Sequence, residues 1–450
     1  MKNMDIKKLI FCIIGMLVFV NVSAQEVAPP TITAYDFKDQ SCIKTVSDNG
    51  KWAVSFGSAV SNSSMSTNSR LINIETGEVT AIGLENDETT PLYCMASDVT
   101  DDGMVVGEYK GMPATWTKDG GWKMLDLPIG WSGGFLESVT PDGRYAVGRA
   151  TLDWNESPLL YDLTTGELLD TPGIPVKGSA GEDFKQMRFT SITADGRYIS
   201  GVGDFSYTWN TVNFIYDREK KSCIRPGFKD DGTSVFDNAY VAEGTFSPNG
   251  KFFAGSAVVY TAADEYRCPF TYNMDTGEYK LYNDATGQNY SFITVDNNGV
   301  MYGSPSSEVS PVRTLYIFVD GFWYPLDDLL SMRYGIDYYV KTGYDNTGTC
   351  IGVSGDGKVL VAFPDPYKSY AIKMNETFAD AARKVNLLKN YRATPADGAA
   401  VTSLRTVEIA FNYSIQLLGK AADIKLTDKD GNSFGRIVSA ALQSNNDKVL

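Results

Sequence analysis

Not one of the 450 residues is histidine. That absence removes Ser-His-Asp and Cys-His nucleophilic catalysis, His-ligated zinc and imidazole acid–base work. Carboxylates, Tyr, Lys and Arg are the groups left for chemistry. Cysteine is scarce as well, six in all. Cys12 lies in an N-terminal apolar run, and Cys42, Cys94, Cys223, Cys268 and Cys350 are too widely and irregularly spaced for a disulfide framework or a metal site. Cys42, Cys94 and Cys350 each precede a recurring turn at similar phase, which reads as small apolar side chains packed in equivalent inner strands.

Long apolar runs are missing beyond the N-terminus. Lys2, Lys7 and Lys8, the apolar stretch Leu9–Val20, and Val22-Ser23-Ala24 spell a signal peptide over 1–24, with the mature chain starting at Gln25. The stretch is too short for a bilayer anchor, so the mature chain is expected to be secreted or held in a bacterial cell envelope without spanning a membrane. Positive charge is in the minority. Taking the leader's three Lys and one Asp from 40 basic and 55 acidic side chains leaves a charge near −17. Such a surface repels phosphate backbones and argues against nucleic acid as a partner.

What the chain does have is one short phrase written seven times: a Ser, Thr or Asp, one or two further residues, a Gly, then an apolar run. The copies are Ser47-Asp48-Asn49-Gly50, Thr100-Asp101-Asp102-Gly103, Thr140-Pro141-Asp142-Gly143, Thr193-Ala194-Asp195-Gly196, Ser247-Pro248-Asn249-Gly250, Asp296-Asn297-Asn298-Gly299 and Ser354-Gly355-Asp356-Gly357. The glycines stand 40 to 58 residues apart, a period that marks a repeat architecture. In the third copy Leu136–Thr140, Arg144–Gly148, Leu159–Leu163 and Glu167–Asp170 read as strands, with Pro141-Asp142-Gly143 and Thr164-Thr165-Gly166 as turns. The second turn recurs as Glu75-Thr76-Gly77-Glu78 and Asp275-Thr276-Gly277-Glu278. Four antiparallel strands per copy predict an all-β, seven-bladed β-propeller of four-stranded blades over 25–375. The seventh copy lacks an evident fourth strand, and Thr31–Phe37 is predicted to supply it by pairing with Ser369–Met374.

Turns between first and second and between third and fourth strands share one rim, and here they are short and uniform. Segments between second and third strands read as irregular loops: Ser58–Ser69, Ala150–Ser157, Val202–Val212, Ser256–Cys268 and Ser304–Val312. Loop variety on a rigid scaffold marks the opposite rim as the binding face. Its candidates are Trp131, Trp154, Tyr207, Trp209, Tyr260 and Tyr266, with Asp153, Asp204, Asp264 and Glu265 beside them, since aromatic faces stack and carboxylates accept donors. The Asp residues of the phrases read as hairpin caps, and Asp428-Lys429-Asp430-Gly431-Asn432 as a hairpin tip, because the latter lacks the distal Glu of a calcium loop.

After the repeats, 376–392 reads as a linker or short helix on the spacing of Phe378, Ala382, Val385 and Leu388. From 393 onward the strands Val401–Phe411 and Asp423–Leu426 read as the opening of an Ig-like β-sandwich, incomplete at fewer than 60 residues. Pro113-Ala114-Thr115-Trp116, Gly120-Gly121-Trp122 and Asp142-Gly143-Arg144-Tyr145-Ala146-Val147-Gly148 together resemble bacterial extracellular HAF repeats, without the His-Ala-Phe that names them. Phe246-Ser247-Pro248-Asn249-Gly250-Lys251 resembles the repeat phrase of TolB-type propellers, and the segment from Ala393 resembles bacterial Ig-like spacer modules. These likenesses are to structural turns and imply fold rather than chemistry. The resulting expectation is an exported, non-catalytic binding or scaffold protein that holds a glycan or a protein, with no cofactor, no metal and no catalytic residue. The alternative is a His-free carbohydrate-active enzyme using rim carboxylates or a Tyr, to be told apart by a convergent acid pair with Arg or Tyr nearby.

Overall fold

The computed structural model describes residues 27–37, 41–56, 69–83, 94–153, 155–172, 174, 186–204, 211–227, 239–260, 265–282, 289–306, 315–320, 322–336, 351–365, 368–385, 392–394, 408–410, 425–427 and 433–436. Ala28–Lys384 forms one compact unit built almost wholly of antiparallel strands in groups of four. The first group is Cys42–Val46, Trp52–Phe56, Arg70–Asn73 and Val79–Ala81; the second is Cys94–Val99, Val105–Tyr109, Met112–Thr117 and Gly121–Met124. The third is Gly133–Val139, Tyr145–Leu152, Asn155–Asp162 and Glu167–Leu168; the fourth is Gln186–Ile192, Tyr198–Asp204, Thr211–Asp217 and Ser222–Ile224. The fifth is Ala239–Phe246, Phe252–Tyr260, Glu265–Asn273 and Tyr279–Leu281; the sixth is Asn289–Val295, Met301–Ser306, Tyr316–Val319 and Phe322–Pro325. Ile351–Val353, Val359–Asp365 and Lys368–Lys373 make the last group, whose outer strand is Thr31–Asp36, paired from Thr31↔Lys373 to Asp36↔Lys368. The chain's early segment therefore seals its late one, as the missing fourth strand implied.

The first strand of each group packs beside the first strand of the next, and Ile351–Val353 packs beside Cys42–Val46, so these strands make a closed circuit. This is a propeller architecture, with its core between sheets rather than within one. Neighbouring residues of a second strand serve opposite neighbours, as the strand's two-residue period dictates. Ala53 packs with Ile43, Val359 and Val361, while Val54 packs with Ala96, Val105 and Trp116. Val106 then faces Leu136 and Tyr161, and Val147 faces Phe189 and Phe214. Each such side chain, fully buried, contributes about 1.5–3 kcal/mol, and half of that burial on every group belongs to an adjacent group.

The recurring phrase builds one turn throughout. In every copy the Gly N–H donates to the carbonyl three residues back, from Gly50 to Ser47 through Gly357 to Ser354. Each of these glycines has φ between +68° and +89°, a left-handed conformation that costs other residues. The phrase Asp residues cap the turns as expected: Asp142 Oδ1 accepts from Thr140 Oγ1 at 2.6 Å and from Arg144 N at 3.0 Å, and Thr140 Oγ1 accepts from Tyr145 N at 3.0 Å. The turns also bond to one another. Asn49 N donates to Asp101 Oδ1, Asp101 N to Pro141 O, Ala194 N to Pro248 O, Asn249 N to Asn297 Oδ1, Asn297 N to Gly355 O, and Gly355 N to Asp48 O.

One reading needs correction. Ala150–Ser157 is not an irregular loop: the ladder continues to Leu152↔Asn155, with Asp153 beyond it at the tip. Likewise the ladder runs into Ser256–Cys268 as far as Tyr260↔Glu265 and into Val202–Val212 as far as Asp204↔Thr211. Apolar alternation carries the pairing outward where no Gly marks a turn; Asp153 supplies the tip with φ +53° instead. The link after the sixth group contains a helix, Leu326–Tyr334, stopped by Gly335 at φ +70°, with Leu326, Leu329 and Leu330 buried. Phe378–Arg383 is a helix capped by the Thr377 hydroxyl, the short helix that the spacing of Phe378 and Ala382 predicted, within the compact unit. Phe378 is buried edge-on to Tyr302, and the buried Glu376 beside it accepts from Arg333 Nε and Tyr334 Oη, each at 2.8 Å.

Cys42 and Cys94 are buried in the strands, as the packing reading required; Cys268 is buried too, Cys223 is half-buried, and Cys350 lies outside the described residues. Beyond the unit, Arg392–Thr394 pairs with Glu408–Ala410 and Lys425–Thr427 with Ser433–Arg436. The Asp428–Asn432 tip and the leader lie outside the described residues. Among the described residues no helix is long and apolar enough to cross a membrane.

Candidate functional site

Lys44, Ser97, Glu137 and Thr190 hold one structural position. Each stands six residues before its phrase glycine and is the extra residue of a β-bulge in its first strand. A bulge re-aims a side chain out of strict alternation. Two of the four are charged, and they meet: Lys44 Nζ lies 3.9 Å from Glu137 Oε2. The first group thus reaches the third past the second, across the space the first strands enclose.

The contact continues outward. Arg149, directly across from Phe135, lies over that ring at 5.1 Å, with Lys44 on the same ring at 5.6 Å. Arg149 donates through Nη1 to Glu137 Oε1, and its Nε sits 3.1 Å from Glu156 Oε1. Arg188, on the fourth group's first strand, donates through Nη1 to Glu156 Oε2 at 3.0 Å. There the third and fourth groups are joined by one parallel bridge, Glu156↔Gln186. The order Lys44–Glu137–Arg149–Glu156–Arg188 alternates in sign, with side chains 19–35% exposed. Such half-wet pairs each add little to stability, so the array is not needed to hold the fold. Two further acids flank it. Burial raises the pKa of Glu108, while Arg149 pulls it back. Burial also raises that of Asp98, against bonds from Val139 N, Val99 N and Ser138 Oγ and the charge of Lys44.

Beside the array the same rim carries an apolar lip. Ile129 is fully exposed, and Leu152 is exposed at the end of its ribbon. Trp131, between them in sequence, is half-buried against the cluster of Leu125, Leu136, Ala150 and Tyr161. Asp153 is exposed at the hairpin tip. Trp154, Tyr207, Trp209 and Asp264 lie outside the described residues. Backbone pairing sets Tyr260 opposite Glu265, Tyr266 opposite Val259, and Asp204 opposite both Gln186 and Thr211. The structure thus brings Tyr260, Glu265 and Tyr266 to one ribbon and Asp204 to another.

The array itself escapes a loop-centred reading because all five members lie on strands; the available signal was charge at the bulge phase, in Lys44 and Glu137. The carboxylates Glu137 and Glu156 do converge on one guanidinium, but both are engaged by cations. Gly130-Trp131-Ser132-Gly133-Gly134 spells a Gly-x-Ser-x-Gly sequence, but Ser132 enters a strand rather than a strand-to-helix turn and faces Thr151 O at 3.5 Å.

The opposite rim is acidic and tightly bonded. Asp48 is pushed up to about 6, first by burial and then by the charges of Asp101 and Asp356. Asp296 is also pushed up to about 6, by burial and Asp356, although Asn298 N, Val300 N and Tyr302 Oη all donate to it. Asp296 caps its own turn, while Asp48 is bonded by Asn297 and Gly355 of other turns.

No family model and no curated protein matches the chain. Solved structures with similar traces include an oligogalacturonate lyase in complex with manganese, at 13% identity and TM-score 0.49, covering 77% of this chain and 97% of that one. The Dos1 propeller aligns at 12% identity and TM-score 0.43, covering 78% and 96%. TolB from Acinetobacter baumannii aligns at 14% identity and TM-score 0.36, covering 75% and 64%. At such identities no residue role transfers.

Proposed function

We propose that the chain is an exported, non-catalytic binding or scaffold protein, a seven-bladed propeller followed by an Ig-like spacer, that holds a glycan or a protein on the rim opposite its phrase turns. The closed circuit of first strands supports the blade count, and the Pro-x-Asp-Gly segment with its two short strand pairs supports the spacer. One observation carries the functional reading: on that rim a half-exposed array of alternating charges adjoins an exposed apolar lip, Ile129 and Leu152, with no acid in the array left unpaired for proton transfer. The leader supports export to the envelope or beyond.

Screening the chain from Gln25 on a glycan array and in pull-downs, beside the triple alanine variant of Trp131, Trp154 and Trp209, tests the assignment. Binding is expected to fall in the variant; unchanged binding would remove the rim from the account. A carbohydrate-active enzyme is the second reading, favoured by Glu137 and Glu156 on one guanidinium. Depolymerisation of polysaccharides that stops in both Glu137→Gln and Glu156→Gln would establish it instead.

A further inference from the structure

We infer that the axial array is a recognition site for an uncharged polyhydroxylated ligand, a neutral sugar, rather than for an anionic or cationic one. This rests on the reading that the rim binds a ligand, and it specifies the ligand's chemistry.

The array presents cation, acid, cation, acid, cation in that order, so neither sign dominates along it. A ligand bearing one net charge would be repelled by the like charge at the next position. A sugar hydroxyl both donates and accepts, and adjacent hydroxyls repeat that pair of roles along a ring. A carboxylate beside a guanidinium matches two such hydroxyls, one bond from each partner. Capacity remains for those bonds. Arg188 spends Nη1 on Glu156 and keeps Nε and Nη2, and it is the most exposed member, at 35%. Each carboxylate oxygen of Glu137 and Glu156 keeps a second lone pair. The field of the whole chain, −15 at neutral pH, adds a penalty for anions. The exposed Leu152, one ladder step beyond Thr151↔Glu156, offers apolar surface for the C–H face of a ring.

The test is calorimetry on the full chain with cellotetraose, mannotetraose and maltotetraose against trigalacturonate. At least one neutral tetramer is expected to bind, and trigalacturonate to bind at least tenfold more weakly. Arg188→Gln is expected to weaken the neutral ligand about tenfold, the size of one hydrogen bond to a charged group. Glu137→Gln provides a second variant in case the first fails to fold, and Lys251→Gln, on the phrase rim, is expected to leave binding unchanged. Tighter binding of trigalacturonate, no binding of any tetramer, or neutral binding indifferent to both Arg188→Gln and Glu137→Gln would each overturn the inference. If acidic glycans or a protein then bind and the triple Trp variant abolishes that binding, the inference fails while the broader reading of the rim stands.

Discussion

Asp296 offers the sharpest test of how the phrase turns are held. It occupies the place that Ser or Thr takes in the other copies, and it is fully buried. Its Oδ1 accepts from Asn298 N at 2.8 Å and Val300 N at 3.1 Å, while Oδ2 accepts from Tyr302 Oη at 3.1 Å. Those bonds favour the charged form, but burial outweighs them and the nearby Asp356 charge adds to it, so the group titrates near 6 instead of 3.8. A folded state that holds the proton more tightly than the unfolded one is favoured at low pH. The contribution is fully present below about 4 and is lost as pH rises through about 6. A rise of about two units, at 1.36 kcal/mol each, sets a ceiling of about 3 kcal/mol. Asp296→Asn keeps the Oδ1 acceptor for both backbone donors and turns an amide toward Tyr302, whose hydroxyl can accept. Urea denaturation of both proteins between pH 4 and 8 is the assay. The two are expected to be alike near pH 4, with the variant gaining on the wild type by up to about 3 kcal/mol at pH 8. Carboxylates held low elsewhere, such as Asp217 beside Arg197, titrate in both proteins and cancel in the difference. A stability difference that does not change with pH, or one that favours the wild type as pH rises, would refute the reasoning.

Two further outcomes follow from turn packing and closure. Gly77→Ala, at φ +75° with open space around it, is expected to lose about 1 kcal/mol in urea denaturation, the cost of a left-handed residue. Gly196→Ala, at φ +71° with its new Cβ 2.5 Å from Tyr145 Cδ2, is expected to lose about 2–3 kcal/mol, because the ring must also move; equal losses would deny the packing role. Deleting 25–37 removes the strand that covers the edge at Lys368–Lys373. The shortened chain is expected to melt lower and to self-associate in size-exclusion chromatography; a monomer of unchanged stability would contradict closure.

Much of the fold could be read from sequence because the phrase is a local signal. Ser47 Oγ, Asn49 Oδ1 and Gly50 build their turn from neighbours within five residues, so chemistry alone announces it. The closing strand was legible for a different reason: an unpaired extended segment at one end matched a missing strand at the other. The third group's ribbon was not legible because its tip lacks glycine: Asp153 adopts φ +53° there instead. The Leu326–Tyr334 helix, at nine residues, is too short for periodicity to separate it from a loop. The array was hidden more deeply. Lys44 and Glu137 are 93 positions apart, and their meeting depends on the curvature of the whole circuit.

That difference in legibility follows a division of labour between the rims. On the phrase rim, backbone N–H groups of one turn bond to carbonyls and side chains of the next, and Asp296 is buried with three donors. Such bonds, from the fourth turn round through the first to the third, hold the spacing of those first strands on this rim. The axial array can then carry charge pairs that contribute little to holding the groups together. Bulges in the first strands turn Lys44 and Glu137 into the enclosed space, where a strictly alternating strand would have sent them into the packing between sheets. Stability secured on one rim thus permits a polar, half-solvated surface on the other, where a ligand can exchange its bonds to water for bonds to the protein.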